Sequence, residues 1–360
     1  MTGFMPSFLK KTSILTFLFL ILLSCTERDR YITFSGYAQG GTYTVKLNLN
    51  GVDGQVKAEP QQIKDSVDAI LGRIDASLSG YNKKSLLSRF NAGETIIPDK
   101  IFIDIYQVAH EFYSHTGGAI DVAAAPLFDI WGFGFRNGEF PDDAQVGSTL
   151  EGCGMHRLTG DMEYVLSEDG RLVPQNLLSD TQGPLPKLNY NAIAQGYSCD
   201  LVAEYLYSIG IKDMMVDIGE IFCDGVNPSG QSWGIGIDRP TDGNNQLGAD
   251  LQGVFRVPAG PHGVVTSGNY RKFYVKDGKK YAHTIDPSTG YPVSHNLLSA
   301  TIIAPDALTA DAYATYCMVV GLEESKDFIE SASSLEGCLV YDDNGEFKVW
   351  TSSGMTLSEL

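Results

Sequence analysis

Tyr31-Ile-Thr-Phe-Ser-Gly36, followed by Gly41-Thr-Tyr-Thr-Val-Lys-Leu-Asn-Leu49, alternates in strand-forming residues and reads as two extended segments. Working outward, the same pattern returns in short pieces. Met214–Ile218, Ile235–Ile237 and Leu298–Ala304 read as strands. Gly263–Tyr281 reads as a strand and a hairpin with Lys276-Asp-Gly-Lys279 at its tip, and Cys338–Tyr341 with Phe347–Thr351 as a last hairpin around Asn344-Gly345. Residues 136 to 190 read as strands and loops, with a hairpin near Glu168-Asp169-Gly170. Helical stripes are fewer. Pro60–Leu78 places Ile63, Val67, Ile70, Leu71 and Ile74 on one face, and Ser85–Phe90, Ile101–His115, Ala192–Ser208, Thr309–Val320 and Glu323–Ser331 follow. Strands that come in hairpins, without strict alternation with helices, predict an α+β fold: one large domain with a mainly antiparallel sheet and flanking helices.

The N-terminus has a different character. Lys10-Lys11 precedes the apolar run Ile14–Leu23, which is too short to span a bilayer, and Ser24-Cys25 follows. Cys25 directly after Leu-Leu-Ser resembles a bacterial lipobox, which implies cleavage before Cys25 and its lipidation. An ordinary secretory signal with an incidental Cys25 is the alternative. The expected division is a signal peptide at 1–24, a tether at 25–35 and a folded domain at 36–360.

The formal net charge of −18 disfavours nucleic-acid binding and means that an anionic substrate would need a metal ion. The remaining cysteines, at 153, 199, 223, 317 and 338, form no Cys-x-x-Cys pair, so zinc and thioredoxin-like readings are weak. Cys199 and Cys317 fall in apolar helical patterns and read as buried thiols.

Two groups of residues carry potential chemistry. Tyr281-Ala-His-Thr-Ile-Asp-Pro-Ser-Thr-Gly-Tyr-Pro292 holds His283, suited to proton transfer near neutral pH, and Asp286, which can cap the following turn. His283 is equally compatible with a structural, hydrogen-bonded role. Asp311 and Thr315, four apart on a helix, form an oxygen-only pair suited to Mg²⁺. By themselves they also fit a first-turn acid and a core-facing threonine. Asn189–Tyr197 opens a helix, with Asn191 as the expected cap. There is no phosphate loop, dinucleotide fingerprint, His-Glu-x-x-His or nucleophile elbow.

Taken together, these segments resemble one family. Gly40-Gly-Thr-Tyr, Leu78-Ser-Gly-Tyr-Asn with Ser85 and Asn91, Ala119-Ile-Asp through Trp131-Gly-Phe-Gly, Asn189 to Asp200, Trp233-Gly-Ile-Gly-Ile-Asp-Arg-Pro, Thr266-Ser-Gly-Asn-Tyr, His283 to Pro292 and Ala310-Asp-Ala-Tyr-Ala-Thr315 occur in the order of the FAD:protein FMN transferases, the ApbE-type flavin transferases. The resemblance implies Mg²⁺-dependent transfer of FMN from FAD to a Thr or Ser hydroxyl of a target protein, with release of AMP. By the same match Ala192 (through its carbonyl), Asp311 and Thr315 hold the metal. Gly40, Tyr81, Ala119, Ile120, Asp121, Asn189, Gln195 and Ile285 contact FAD. His283 is the expected base. The resemblance also implies a lipid-anchored protein on the periplasmic side, more at the inner than the outer membrane, with a membrane redox complex subunit as acceptor. An FAD pyrophosphatase and a non-catalytic flavin-binding lipoprotein are the alternatives. The chain departs from the family in having Asn189 for Asp, Gln195 for Lys, Asn191 for Gly, Glu220 for the second of two glycines and Gly40 for Met. The first two departures read as mutually compensating.

Overall fold

The computed structural model describes residues 30–51, 56–94, 96–133, 140–158, 164–166, 172–174, 186–242, 244, 248–270, 273–276 and 279–358. The signal segment and Cys25 lie outside the described residues, as do the middles of the Glu168-Asp169-Gly170 and Lys276–Lys279 turns.

β1 (Tyr31–Ala38) and β2 (Gly41–Asn48) pair antiparallel through a two-residue turn. Gln39 and Gly40 both have positive φ, 51° and 82°, as a tight turn between right-twisted strands requires. α1 (Pro60–Leu78) buries the expected stripe. α2 (Leu86–Asn91) starts on Ser85, whose side chain accepts from Ser88 N, and α3 (Lys100–His115) on Asp99, which accepts from Phe102 N.

The next stretch differs from the expectation. α4 (Ala125–Ile130) is a helix that the sequence pattern does not signal, and α5 (Asp143–Leu150) is a helix within the stretch expected to hold strands and loops. Both are short. α4 carries Pro126 in its first turn and α5 carries Gly147, so neither shows a usable period. Asp142 nevertheless caps α5 through Gln145 N at 2.8 Å, and Val146 is its buried anchor. β3 (Tyr164–Leu166) and β4 (Leu172–Pro174) form the small hairpin read near residue 169.

α6 (Ala194–Ser208) leads into β5 (Met214–Asp217) and β6 (Ile221–Asp224). β7 (Gly234–Asp238) pairs with β8 (Leu251–Arg256) as a separate ribbon. β9 (His262–Gly268), the β10–β11 hairpin (Phe273–Lys276 with Lys279–Ala282), β12 (Leu297–Ala304), α7 (Ala307–Val320), α8 (Leu322–Ser331), β13 (Glu336–Asp343) and β14 (Glu346–Thr351) complete the order. β6 and β8 were not anticipated. β8 is interrupted by Gly253, where an added Cβ would lie 2.6 Å from Leu357, so the packing that needs glycine also breaks the strand signature.

Eight strands form one sheet in the order β1-β2-β5-β6-β9-β12-β13-β14, with every neighbouring pair antiparallel. Side chains alternate between its faces. Val265, Ile302 and Leu339 join the main core beneath α1, α3, α6 and α7, whereas Val264, Ile303 and Val340 join Trp233, Ile235 and Phe255 of the β7–β8 ribbon. The central strands are therefore covered on both sides, with their helices on one. Cys153, Cys199, Cys223, Cys317 and Cys338 are all buried and unpaired with one another.

Candidate functional site

The segment from Asn189 to Asp200 is where the family-like motifs meet. Ala192 lies two residues before α6, on which Gly196 and Asp200 are one turn apart and share one stripe. Ala307, Asp311 and Thr315 do the same on α7. The two stripes face each other and run in opposite directions. Asp200 accepts from Ala307 N and Leu308 N, both at 2.8 Å. One turn back, Gly196 N donates to Asp311 Oδ2 at 3.0 Å. A Cβ on Gly196 would lie 2.2 Å from the Ala307 carbonyl, so only glycine lets the helices approach this closely. The carbonyl of Ala192 is the usual helical partner for the Gly196 N–H, which goes to Asp311.

Asp311 is buried, and burial pushes its carboxyl up to about 8; the Gly196 N–H acts against that shift, and the neighbouring charge of Asp200 adds to it. Burial likewise raises Asp200 to about 7, against its two backbone donors. The charged neighbour of Asp311 is thus another acid. A buried carboxylate with a half-buried hydroxyl one turn on is an oxygen-only pair that fits a hard divalent cation.

The residues matched to FAD lie on several separate segments. Gly40 is in the β1–β2 turn, which is tied to α6 by the Gln39 amide donating to Ser198 Oγ. Gln195 Nε2 donates to the Ile218 carbonyl at 2.9 Å, lying over Gly219. Asn189 Oδ1 accepts from Asn191 N at 2.9 Å. Asn189 and Gln195 are therefore each directed at backbone, and no bond between them is seen among the described residues. Asn191 is not the helix cap: the cap position is Ile193, and it is Asn189 that closes the preceding turn. Glu220 leaves the β5–β6 turn intact, because Gly219 supplies the positive φ of 95°.

Asn189 N donates to the Val122 carbonyl at 2.7 Å, which brings in Ala119, Ile120 and Asp121. Asp121 caps the following turn through Ala123 N at 2.8 Å and also accepts from Met155 N at 3.1 Å. Burial raises its pKa, with both N–H donors opposing. Ile120 and Ile285 are 2 % and 1 % exposed and point into apolar clusters, so what they offer a ligand is backbone.

Tyr81 is 75 % exposed on a pinned turn. Ser85 Oγ donates to the Ser79 carbonyl at 2.6 Å, Asn82 Nδ2 to Asp75 at 2.7 Å, and the Asn91 amide exchanges two 2.8 Å bonds with Leu188. A cleft of about 390 Å³ opens beside this turn, lined by Gly80, Ser88, Asn91, Ala125, Asp129 and Asn189.

His283 follows β11. Its ring meets Phe133 edge-on, 6.4 Å between centroids. Thr284 donates to Asn269 Oδ1 at 2.7 Å, just past the end of β9, and Trp131 Nε1 donates to the Gly290 carbonyl at 2.8 Å. Asp286 caps its turn through Ser288 N, as read from the sequence. The His283 loop is thus joined to the Ala119–Phe133 segment, while the metal-type trio is built on α6 and α7. Asp200 and Gly196 went unread as site residues. Their signal was the four-residue spacing from Ala192, which mirrors that of Asp311 and Thr315.

An α+β fold with a mainly antiparallel sheet is shared with solved flavin transferases. The flavin transferase ApbE of Vibrio cholerae aligns with a TM-score of 0.72 at 29 % identity, over 90 % of this chain and 98 % of that one. The apo form of the flavinyl transferase ApbE of Pseudomonas stutzeri aligns at 0.74 and 28 % identity, over 91 % and 96 %. A Haemophilus influenzae protein named FAD:protein FMN transferase is 31 % identical over 347 residues, 94 % of this chain and 95 % of that protein. The chain matches the ApbE family over residues 39–339 and belongs to it.

Proposed function

We propose that this chain transfers FMN from FAD to a Thr or Ser hydroxyl of a target protein. The observation that supports the reading is the link between α6 and α7, in which Asp200 holds the first N–H groups of α7 and Asp311 accepts from Gly196 N, within the segment that carries Asn189, Ala192 and Gln195. Ala192, Asp311 and Thr315 would hold Mg²⁺. Bound there, the ion would supply positive charge to the pyrophosphate oxygens as the P–O bond breaks.

The rest is the work of the chain's own groups. The exposed Tyr81 ring offers a face on which the flat isoalloxazine can stack. Backbone at Ala119–Asp121 and Ile285, the Gly40 turn, and the amides of Asn189 and Gln195 fix the rest of FAD. His283 takes the proton of the acceptor hydroxyl. The freed oxygen attacks the phosphorus of the FMN half, and AMP leaves with the bridging oxygen and its electron pair.

The same reading makes residues 36–360 the catalytic domain, with 1–24 removed on export and Cys25 lipidated on the periplasmic side of the inner membrane. The acceptor is a subunit of a membrane redox complex. Incorporation of labelled fatty acid into the wild type and not into Cys25→Ala checks the anchor.

Incubation with FAD, Mg²⁺ and an acceptor domain carrying a target Thr tests the function. The expected result is one FMN added to the acceptor by mass spectrometry and an equal amount of AMP. His283→Ala should lower transfer by about 10²–10⁴-fold while FAD still binds. Free FMN with no modified acceptor would replace this reading with a pyrophosphatase, and FAD binding without AMP would leave a binding protein.

A further inference from the structure

We propose that Asp200 is a positioning residue for the cation site: it sets the register of α7 against α6 so that Asp311 and Thr315 come opposite the Ala192 carbonyl. This rests on the metal reading of those three residues given above.

The two helices are joined by carboxylate-to-amide links of opposite sense. Asp200 reaches from α6 to the first two N–H groups of α7, and Asp311 reaches from α7 back to Gly196 N on α6. Between them, the Gly196 backbone lies against the Ala307 carbonyl. Such a contact between a bare backbone and a carbonyl has little side-chain interdigitation to prevent sliding. The Asp200 carboxylate supplies what the contact lacks. Its two oxygens take two successive N–H groups, a fit that exists at only one axial position of α7. The first-turn donors of α7 are shared out accordingly, since Asp306 caps Thr309 N at 2.7 Å and Asp200 takes the two before it. Asp306 belongs to the chain just ahead of α7 and secures the helix start; Asp200 belongs to α6 and secures where that start lies.

This division supplies the control. Asp200→Asn keeps the side-chain volume but turns an N–H₂ toward one of the two backbone donors. Mg²⁺ binding is followed by calorimetric titration of the FAD-free protein, with Mn²⁺ by electron paramagnetic resonance as a second probe. Losing a group that orients metal ligands costs about 10–100-fold in metal affinity, and a loss in that range is expected for Asp200→Asn through the displaced helix. Asp306→Ala, which removes the cap without touching α6, is expected to lower the thermal midpoint and leave cation affinity within about twofold of wild type. If Asp200→Asn does not fold, Asp200→Glu keeps both oxygens but displaces them by one methylene, and the same weakening is expected.

Wild-type cation affinity in the Asp200 variant would overturn the proposal, as would equal weakening in Asp306→Ala. Asp311→Asn separates this failure from failure of the metal reading itself: if that variant binds the cation as the wild type does, the site lies elsewhere.

Discussion

Trp131 donates its indole N–H to the Gly290 carbonyl at 2.8 Å, across 159 residues of sequence. This one bond joins the end of α4 to the loop that carries His283 and Ile285. The indole also stacks on Tyr281 at 5.9 Å. Trp131→Phe keeps an aromatic ring in place and leaves the carbonyl without its donor. A buried acceptor left unsatisfied costs about 1–3 kcal/mol. Urea unfolding should show that loss. Hydrogen exchange should show faster opening at Asp286 and Gly290, whose N–H groups close the same turn at 2.9 and 2.8 Å.

Gln195 and Gly219 form a second coupled pair. A Cβ at Gly219 would lie 2.4 Å from Gln195 Nε2, and φ there is 95°. Gly219→Ala should therefore destabilise through both contact and backbone strain, the strain alone by about 1–3 kcal/mol. Adding Gln195→Ala removes the contact and not the strain. The double mutant should thus recover part of the loss and leave the rest, a non-additivity that a four-protein unfolding cycle measures. Full additivity would mean that the glutamine amide moves aside without cost.

Asp311 makes stability depend on pH in a direction opposite to that of most carboxylates. Its pKa rises from 3.8 in the unfolded chain to about 8 in the fold because of burial, and Asp200 rises to about 7 for the same reason. Below pH 3.8 both states hold the proton and the contribution is complete. Above it the unfolded chain releases protons that the folded one still binds, so stability falls as pH rises through the folded values. Without divalent cation, the thermal midpoint should fall between about pH 5 and pH 8. Millimolar Mg²⁺ should flatten that fall by holding the ionised carboxylate. Asp311→Asn should be flatter than the wild type without cation and insensitive to its addition.

Much of the framework was legible in the sequence because its signals are local. The Ile63–Ile74 stripe of α1 and the Asp286 cap each follow from residues within a few positions of one another. α4, α5 and β8 were not legible because Pro126, Gly147 and Gly253 interrupt the periods by which helices and strands are read. The site divides in the same way. Asp311 and Thr315 stood out by their spacing on one helix. Asp200 did not, because its partners, Ala307 N and Leu308 N, are backbone groups more than a hundred positions away that leave no mark in composition. Asn189 and Gln195 read as a compensating pair because the sequence records that two charges are missing and not where the replacing amides point.

The buried cysteines bear on how the protein can be handled. Burial pushes Cys153, Cys223, Cys317 and Cys338 up to about 12, and it raises Cys199 well above the ordinary thiol range as well. At neutral pH almost none of these thiols is ionised, and only the thiolate attacks a disulfide or is readily oxidised. These five sulfurs are buried and none is paired with another. An oxidising compartment and a reducing one should therefore yield the same folded domain, and neither a reductant nor an isomerase should be needed to keep it so.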